Sequence, residues 1–539
     1  MGIVAYLTAE IGFESSLHTY SGGLGVLAGD HIKSAADAGL ELAAVTLLYR
    51  EGYGRQHLDS KGNQTETFGE IDPDDFLCDT GIEISLPLDG GELYSKIWLY
   101  RIKGVSTYFL DTRHPNNSKE HASLGNRLYG GDDRTRIRQE YLLGVGGIRA
   151  LQKLGHEITG LHLNEGHCTF AMLEMLRQGW TREELSNRSL FTTHTPVPAG
   201  HDRFSWQDVE EVMQDLLPED VRQLGGEERC SMSHLGISLA GHVNAVSNLN
   251  AWVASSMFEG THIEPITNGV HHTTWTSSPL AQIYDIHLSG WREDPTILAH
   301  AGRLPDDALI SARAQARGVL RELVFASTGI ELEEARLTIG FARRFATYKR
   351  ANLIFSNLEK LREIGGGKIQ FVFAGKAHPR DEGGKQLIRD VFEGANQVVD
   401  EIPVVFLEDY SMATGLAMTA GVDIWLNNPV RPMEASGTSG MKAAMNGVPN
   451  CSILDGWWPE ACEHGVNGWG IGESEDERDD KRDAESLYRI LQNEVLPTWE
   501  EGNERWANMM RASIATSARF TGARMISDYR RFYDSFMGA

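Results

Sequence analysis

No stretch of this sequence approaches the run of about 18 apolar residues that a membrane-crossing helix needs. Met1 leads straight into the β-prone run Ile3-Val4-Ala5-Tyr6-Leu7 instead of a basic and then apolar leader, so neither membrane insertion nor export is expected. Cysteine is sparse. Cys78, Cys168, Cys230, Cys451 and Cys462 are scattered, odd in number and without C-x-x-C spacing, which argues for reduced thiols and against a disulfide frame or a metal cluster. Positive charge is also short: 50 Lys and Arg stand against 75 Asp and Glu, a formal net charge of -25. Broad contact with nucleic acid or an anionic membrane surface is therefore not expected, and an anionic small substrate would need a local cluster of cations. No short-period repeat is present. The glycosylation-type triplets at Asn63, Asn116 and Asn187 read as chance matches in a chain without a leader.

What is present is enough apolar sequence, 41% of 539 residues, for two full cores. The first half opens with Ile3–Leu7 as a strand, the Gly-rich turn Tyr20–Gly25 and a helical pattern through Leu27, Ile32 and Ala36. Ala43–Tyr49 reads as the next buried strand and 51–112 as a β-rich excursion. A helix over 134–154 precedes the strand Leu161–Asn164 and, later, the strand Ser189–Thr195. A polar loop over 200–229 and a helix over 242–258 are expected to follow. After Trp275 the pattern restarts with a helical region over 278–328, Ser278-Pro279 suiting its cap and first turn. Strands at 337–342, 369–374, 404–407 and 422–426 then alternate with helix-compatible sequence at the βαβ period. The run 473–483 reads as a solvated loop and the last 25 or so residues as an aromatic- and Arg-rich helix. The expected fold class is α/β, with two doubly wound Rossmann-like domains over 1–276 and 277–515; the final helix, about 516–539, is expected to pack back on the first.

Chemistry concentrates where strands end, because ligands of open parallel sheets gather beyond their carboxyl ends. Glu434-Ala435-Ser436-Gly437-Thr438-Ser439-Gly440-Met441-Lys442 joins the strand run before it to the helix former Ala443-Ala444-Met445. Gly and Ser allow close backbone approach, and the N–H groups and dipole of the new helix suit a phosphate. Lys442, one turn in, is placed to condense with an aldehyde whose phosphate the turn holds; pyridoxal 5′-phosphate carries both groups. Arg343, Arg344, Lys349 and Arg350 form a basic stretch after the strand at 337–342, able to hold a second phosphate. Gly22, Gly23 and Gly25 offer backbone donors at an early helix start, and Glu165, His167 and His194 sit at strand ends. Read singly, each of these also has a plain structural explanation.

The chain resembles the α-glucan phosphorylases over nearly its whole length. The matching segments, in order, are TYSGGLGVLAGDHIKSAADAGL, LNEGHCTF, THTPVPAGHDRF, TNGVHHTTW, GFARRFATYKRA, FAGKAHPRDEGGK, FLEDYSMA and EASGTSGMKAAMNGVPNCSILDGWW. The resemblance implies a GT-B pairing of the two domains with the active site in the cleft between them, and retaining phosphorolysis of maltodextrin, glycogen or starch to glucose 1-phosphate. It implies that Lys442 holds pyridoxal phosphate, whose phosphate Gly437, Thr438, Ser439 and Arg343 bind while Trp275 and Tyr410 lie near its ring. Arg344, Lys349, Gly22 and Gly23 would bind inorganic phosphate. Glu434, Asn268 and His194 would hydrogen-bond the sugar, Val246 would line its pocket, and Glu165 and His167 would lie toward the acceptor. A cytoplasmic homodimer is the implied setting. The family's long N-terminal regulatory arm has no room before Ile3. Asn250 stands where the family pattern leads one to expect histidine, and the family's gate loop is not recognisable before Arg134. Two other functions stay open: a sugar-nucleotide glycosyltransferase on the same scaffold, and a glucan-binding protein without catalysis.

Overall fold

A computed structural model describes residues 2–472 and 478–538. The chain forms two compact units, the first from Met1–Gly54, Phe68–Thr267 and Gly522–Ala539, the second from Arg55–Thr67 and Asn268–Thr521.

The first unit is built on a nine-stranded sheet. Its strands are β1 (Gly2–Thr8), β2 (Leu42–Leu47), β3 (Cys78–Leu88), β4 (Gly91–Ile102), β5 (Val105–Asp111), β6 (Glu157–Asn164), β7 (Ser189–Thr193), β8 (His242–Ala245) and β9 (Glu264–Pro265). They lie in the order β9-β8-β7-β6-β1-β2-β5-β4-β3. Pairing is parallel from β9 to β5 and antiparallel only for β3 and β4. The order reverses direction at β1, so the topological switch point falls between β1 and β6. Both faces are buried, as the period-2 geometry of a strand requires of a covered sheet: Ile3, Ala5 and Leu7 enter one apolar cluster, Val4 and Tyr6 the other.

The helix Gly522–Gly538 closes one face of this unit through a buried polar chain. The Tyr533 hydroxyl lies 2.8 Å from His31 Nε2 and 2.6 Å from His162 Nδ1, and Asn244 Nδ2 donates to the Tyr529 hydroxyl at 3.0 Å. Burial holds His31 down to about 3 and His162 well below its ordinary value, so both rings are neutral.

The second unit carries β10 (Leu337–Ala342), β11 (Ile369–Ala374), β12 (Val404–Leu407), β13 (Ile424–Asn427), β14 (Asn450–Ile453) and β15 (Gly468–Ile471). Every pair is parallel, in the order β12-β11-β10-β13-β14-β15. Numbered from its own first strand that is 3-2-1-4-5-6, the Rossmann order, with the switch point between β10 and β13.

Several expectations change. The segment 200–229 holds the helices Trp206–Met213 and Val221–Gly225, the first capped by Ser205 and burying Trp206, Val209, Val212 and Met213 on one side. Its polar residues simply form the outer face. Residues 242–245 are strand β8, because pairing with β7 outweighs their helix-compatible neighbours. The N-cap ahead of Pro279 is Ser277, one residue earlier than expected, and it makes no side-chain cap bond. Of the run 473–483, residues 473–477 lie outside the described residues, and Asp480 begins the helix Asp480–Ile490 under an Asp479 cap. Within the expected β-rich excursion, the hairpin Arg55–Leu58 and Gln64–Thr67 belongs to the second unit. Gln56 bonds the Gly375 carbonyl (2.9 Å), and Gln64 both donates to the Ala377 carbonyl (2.9 Å) and accepts from its N–H (3.0 Å).

Candidate functional site

At the second unit's switch point the chain leaves β13 and enters the helix Thr438–Met445. Gly437 caps this helix in the left-handed region (φ 87°, ψ 54°), and no side chain caps its first amides. A residue with a Cβ would be strained there, and an uncapped helix start is suited to an anion. Lys442 is 5% exposed, and its Nζ lies 3.5 Å from the centroid of the Trp275 ring. Asn446, one turn further on, fixes that stacking. Its Nδ2 donates to the carbonyls of Trp275 (2.6 Å) and Lys442 (2.9 Å), and its Oδ1 accepts from Ser277 N at 2.8 Å. Sequence reading assigned Asn446 nothing, since an Asn near a helix end reads as a local cap. Ser439 Oγ accepts from Trp425 Nε1 at 3.2 Å, tying the first turn to β13.

Beside the helix start lies an ion cluster. Glu434 Oε2 is 2.7 Å from Arg343 Nη2 and 2.5 Å from Lys349 Nζ. Burial alone would raise the Glu434 carboxyl, but these two charges and their hydrogen bonds hold it down to about 2, so it is an anion. The Lys349 ammonium sits 4.5 Å from the Tyr348 ring centroid. Burial raises that phenol, and the charges of Lys349, Arg344 and Arg343 outweigh it, leaving it below its ordinary value. Beneath Glu434, the wholly buried Asp455 accepts Glu434 N–H at 2.9 Å and Gly456 N–H at 2.8 Å.

The four-cation stretch does not act as one. Arg343 and Lys349 converge on Glu434, and Arg344 is exposed. Arg350 adopts φ 49° and turns into the protein, donating to the carbonyls of Asn428 (2.9 Å) and Pro429 (2.6 Å) and pairing with Asp480 (2.9 Å) and Asp483 (2.7 Å). It clamps the loop after β13. Asn268 is buried, and Tyr410 is half-buried against the apolar cluster that contains Trp425 and Ala443.

In the first unit the candidate residues follow the carboxyl ends of β1, β6, β7 and β8. Glu10, beyond β1, accepts Ser21 N–H at 2.6 Å and the Tyr129 hydroxyl at 2.8 Å. It thereby sets the turn that presents Gly22 and Gly23 at the start of the helix Gly23–Asp37. A Cβ at either glycine would meet nothing within 4 Å, and no side chain caps the helix. Gly25 is different, because a Cβ there would come within 2.7 Å of Glu10 Oε2.

Glu165 stands at φ 77°, and its Oε1 accepts from His194 N (2.6 Å) and Thr195 N (2.8 Å). Burial would raise its carboxyl, but the neighbouring histidines and these amides lower it. Its visible work is to shape the turn after β7. His194 Nε2 donates to Asn164 Oδ1 at 2.7 Å; that oxygen must accept, because the Asn164 amide donates to Thr8 Oγ1 at 3.1 Å. Burial holds His194 down to about 4, so it is neutral at pH 7. His167 Nε2 lies 3.3 Å from Asp202 Oδ2. Val246 is fully buried and donates to Asn250 Oδ1 at 3.2 Å, while Asn250 Nδ2 donates to the His194 carbonyl at 3.4 Å. Asn250 therefore joins two of the candidate sugar residues and is itself 1% exposed.

Two doubly wound parallel sheets, one with a buried amine and a cation pair around a carboxylate at its switch point, define an α/β enzyme of the GT-B glycosyltransferase class. A model of the carbohydrate phosphorylase family matches residues 202–464. Over 98% of its length the chain is 41% identical to a maltodextrin phosphorylase of Thermococcus litoralis, covering 70% of that protein. It is 36% identical to a glycogen phosphorylase of Mycobacterium tuberculosis, with 98% of this chain and 70% of that one aligned. With a glycogen phosphorylase of Aquifex aeolicus the identity is 34% over 99% of this chain and 86% of the relative. The chain belongs to the carbohydrate phosphorylase family. Among the described residues no helix is long and apolar enough to cross a membrane, no group of His, Cys, Asp and Glu is arranged to hold a metal ion, and all five cysteines are free thiols.

Proposed function

We propose that this protein is a pyridoxal-phosphate-dependent α-1,4-glucan phosphorylase that cleaves maltodextrin, glycogen or starch with inorganic phosphate and retains configuration in glucose 1-phosphate. The observation that carries the reading is the buried Lys442 amine against Trp275, one turn into an uncapped helix and in the same unit as the Arg343–Glu434–Lys349 cluster. The names of the relatives support the substrate class.

The residues fit the cofactor. Arg343 Nη1 and Ser436 Oγ are buried without a hydrogen-bond partner among the described residues, and a Cβ at Gly437 would lie 3.5 Å from Glu434 Cγ, so donors and helix start share one neighbourhood. A phosphate there satisfies both. In this assignment Lys442 tethers the aldehyde, Gly437, Thr438, Ser439 and Arg343 hold the phosphate, and Trp275 and Tyr410 confine the ring. When bound, the cofactor would supply a second phosphate beside the substrate phosphate, available as a proton donor and acceptor.

The chain's own residues do the rest. Lys349 and Arg344, with the Gly22 and Gly23 amides, bind inorganic phosphate and oppose its charge. Glu434 is an anion and so accepts from sugar hydroxyls; His194, neutral, and Asn268 complete the hydroxyl contacts. Val246 closes the apolar side of the sugar pocket, and Glu165 and His167 are assigned to the acceptor side. Every part of this acts by position and charge, and no protein carboxylate is asked to attack the sugar. The enzyme is taken as a cytoplasmic homodimer. Reconstitution with pyridoxal phosphate followed by borohydride should fix a pyridoxyl group on Lys442, and Lys442→Ala should abolish phosphate-dependent glucose 1-phosphate release from maltodextrin. A wild type with neither pyridoxyl labelling nor phosphorolysis would falsify the proposal.

A further inference from the structure

The loop that carries Glu434 is moulded by a three-residue turn more than a strand away in sequence. Asp455 presents one carboxylate oxygen to Glu434 N–H (2.9 Å) and the other to Gly456 N–H (2.8 Å). Gly456 takes φ 60°, and a Cβ there would fall 2.3 Å from the Ser436 carbonyl oxygen. Trp457 N–H then donates to that same carbonyl at 2.8 Å. Asp455, Gly456 and Trp457 thus hold the backbone on both sides of the Glu434–Gly437 turn, and Asp455 is 0% exposed.

We propose that Asp455 is a positioning residue for the sugar-binding carboxylate, setting Glu434 against Arg343 and Lys349 only while both of its own oxygens accept. The inference rests on the assignment of Glu434 to the sugar hydroxyls.

The chemistry follows from what a carboxyl group can accept. Ionised, Asp455 receives both N–H groups. Protonated, one oxygen becomes a donor facing a donor, and one of the two bonds is lost. If the lost bond is that of Glu434 N–H, the Glu434 backbone is released and its carboxylate leaves the 2.5–2.7 Å contacts it makes with the two cations. Burial and the Glu434 charge push the Asp455 carboxyl up to about 7, while its two N–H donors and Lys349 act the other way. The charged and titratable groups on this side are Glu434, Lys349, Arg343 and Tyr348. Glu434 is already an anion at every pH of interest. The switch between the two states of Asp455 therefore falls inside the working pH range.

The test uses wild type and Asp455→Asn, both loaded with pyridoxal phosphate, and neutral glucose as the probe, so that no ligand ionisation enters. Affinity for glucose is measured by direct titration calorimetry in phosphate-free buffer at pH 6 to 8.5. Wild type should bind about tenfold more weakly at the acid end, the loss of one buried hydrogen bond to a charged group. The Asn variant, fixed in the half-accepting state, should be weak and flat across the range while keeping its pyridoxal absorbance. If the variant fails to fold, the wild-type profile decides alone. An active wild type with equal glucose affinity at both ends overturns the inference, as does a variant that retains the pH dependence. A wild type without phosphorolysis overturns the function itself, which separates the two failures.

Discussion

Replacing Asn446 by Leu keeps the branch at Cγ, turns both polar atoms into methyl groups and removes three hydrogen bonds at once. The Trp275 carbonyl and the Ser277 N–H, both more than 160 residues away in sequence, lose their bonds of 2.6 and 2.8 Å to Asn446, and the Lys442 carbonyl loses one of 2.9 Å. The site is 1% exposed, so water does not replace these partners. At about 1–3 kcal/mol for each buried group left unpaired, the two long-range bonds put the cost at roughly 2–6 kcal/mol. For a unit of this size, at about 2–4 °C per kcal/mol, that lowers Tm by roughly 4–24 °C. Because Asn446 also holds the Trp275 ring 3.5 Å from Lys442 Nζ, pyridoxal phosphate should load about tenfold more weakly or worse, equivalent to some 1.4 kcal/mol. Differential scanning calorimetry gives the first quantity and absorbance titration of the apoprotein the second. An Asn446→Leu protein that melts with wild type and takes up cofactor with wild-type affinity would show that Asn446 holds nothing in place.

Two glycines of the first unit should separate folding from binding. Gly29→Ala places a Cβ 1.9 Å from the Gly12 carbonyl oxygen and should destabilise the unit by about 1–3 kcal/mol or more in urea unfolding. Gly22→Ala meets nothing within 4 Å and should leave stability unchanged while raising KM for phosphate; a wild-type KM would remove Gly22 from the phosphate site. Acid should weaken the first unit early. His31, His162 and His194 have lowered folded values, so they contribute stability above their unfolded value of about 6.5 and withdraw it as pH falls below that, about 1.4 kcal/mol per group per pH unit. Glu140, raised by burial and by Asp202, works in the opposite sense. These three rings against Glu140 already leave a loss of about 3 kcal/mol per pH unit between pH 6 and 5, and His156, His167, His234 and His242, lowered in the same sense, add to it before the ordinary carboxylates titrate. Unfolding transitions at the same urea concentration in both buffers would contradict the buried neutral histidines.

The sequence by itself determined what depends on neighbours in the chain. Strand, small-residue turn and helix around Lys442 are local patterns, and so are β1 with its Gly22–Gly25 turn and the βαβ alternation of the second half. The eight motifs were legible for the same reason, each being a contiguous stretch. Tertiary structure decided which polar groups are in use and which are aimed at a ligand, because that depends on partners far away in the chain. Arg350 looked like one more phosphate ligand until its left-handed backbone turned it onto the Asn428 and Pro429 carbonyls. Glu165 proved to be engaged by the amides of His194 and Thr195, 29 and 30 residues on. Asn446, Asp455 and the hairpin Gln56 and Gln64 left no local signal, since each completes a hydrogen bond whose other half is brought to it only when the sheets close.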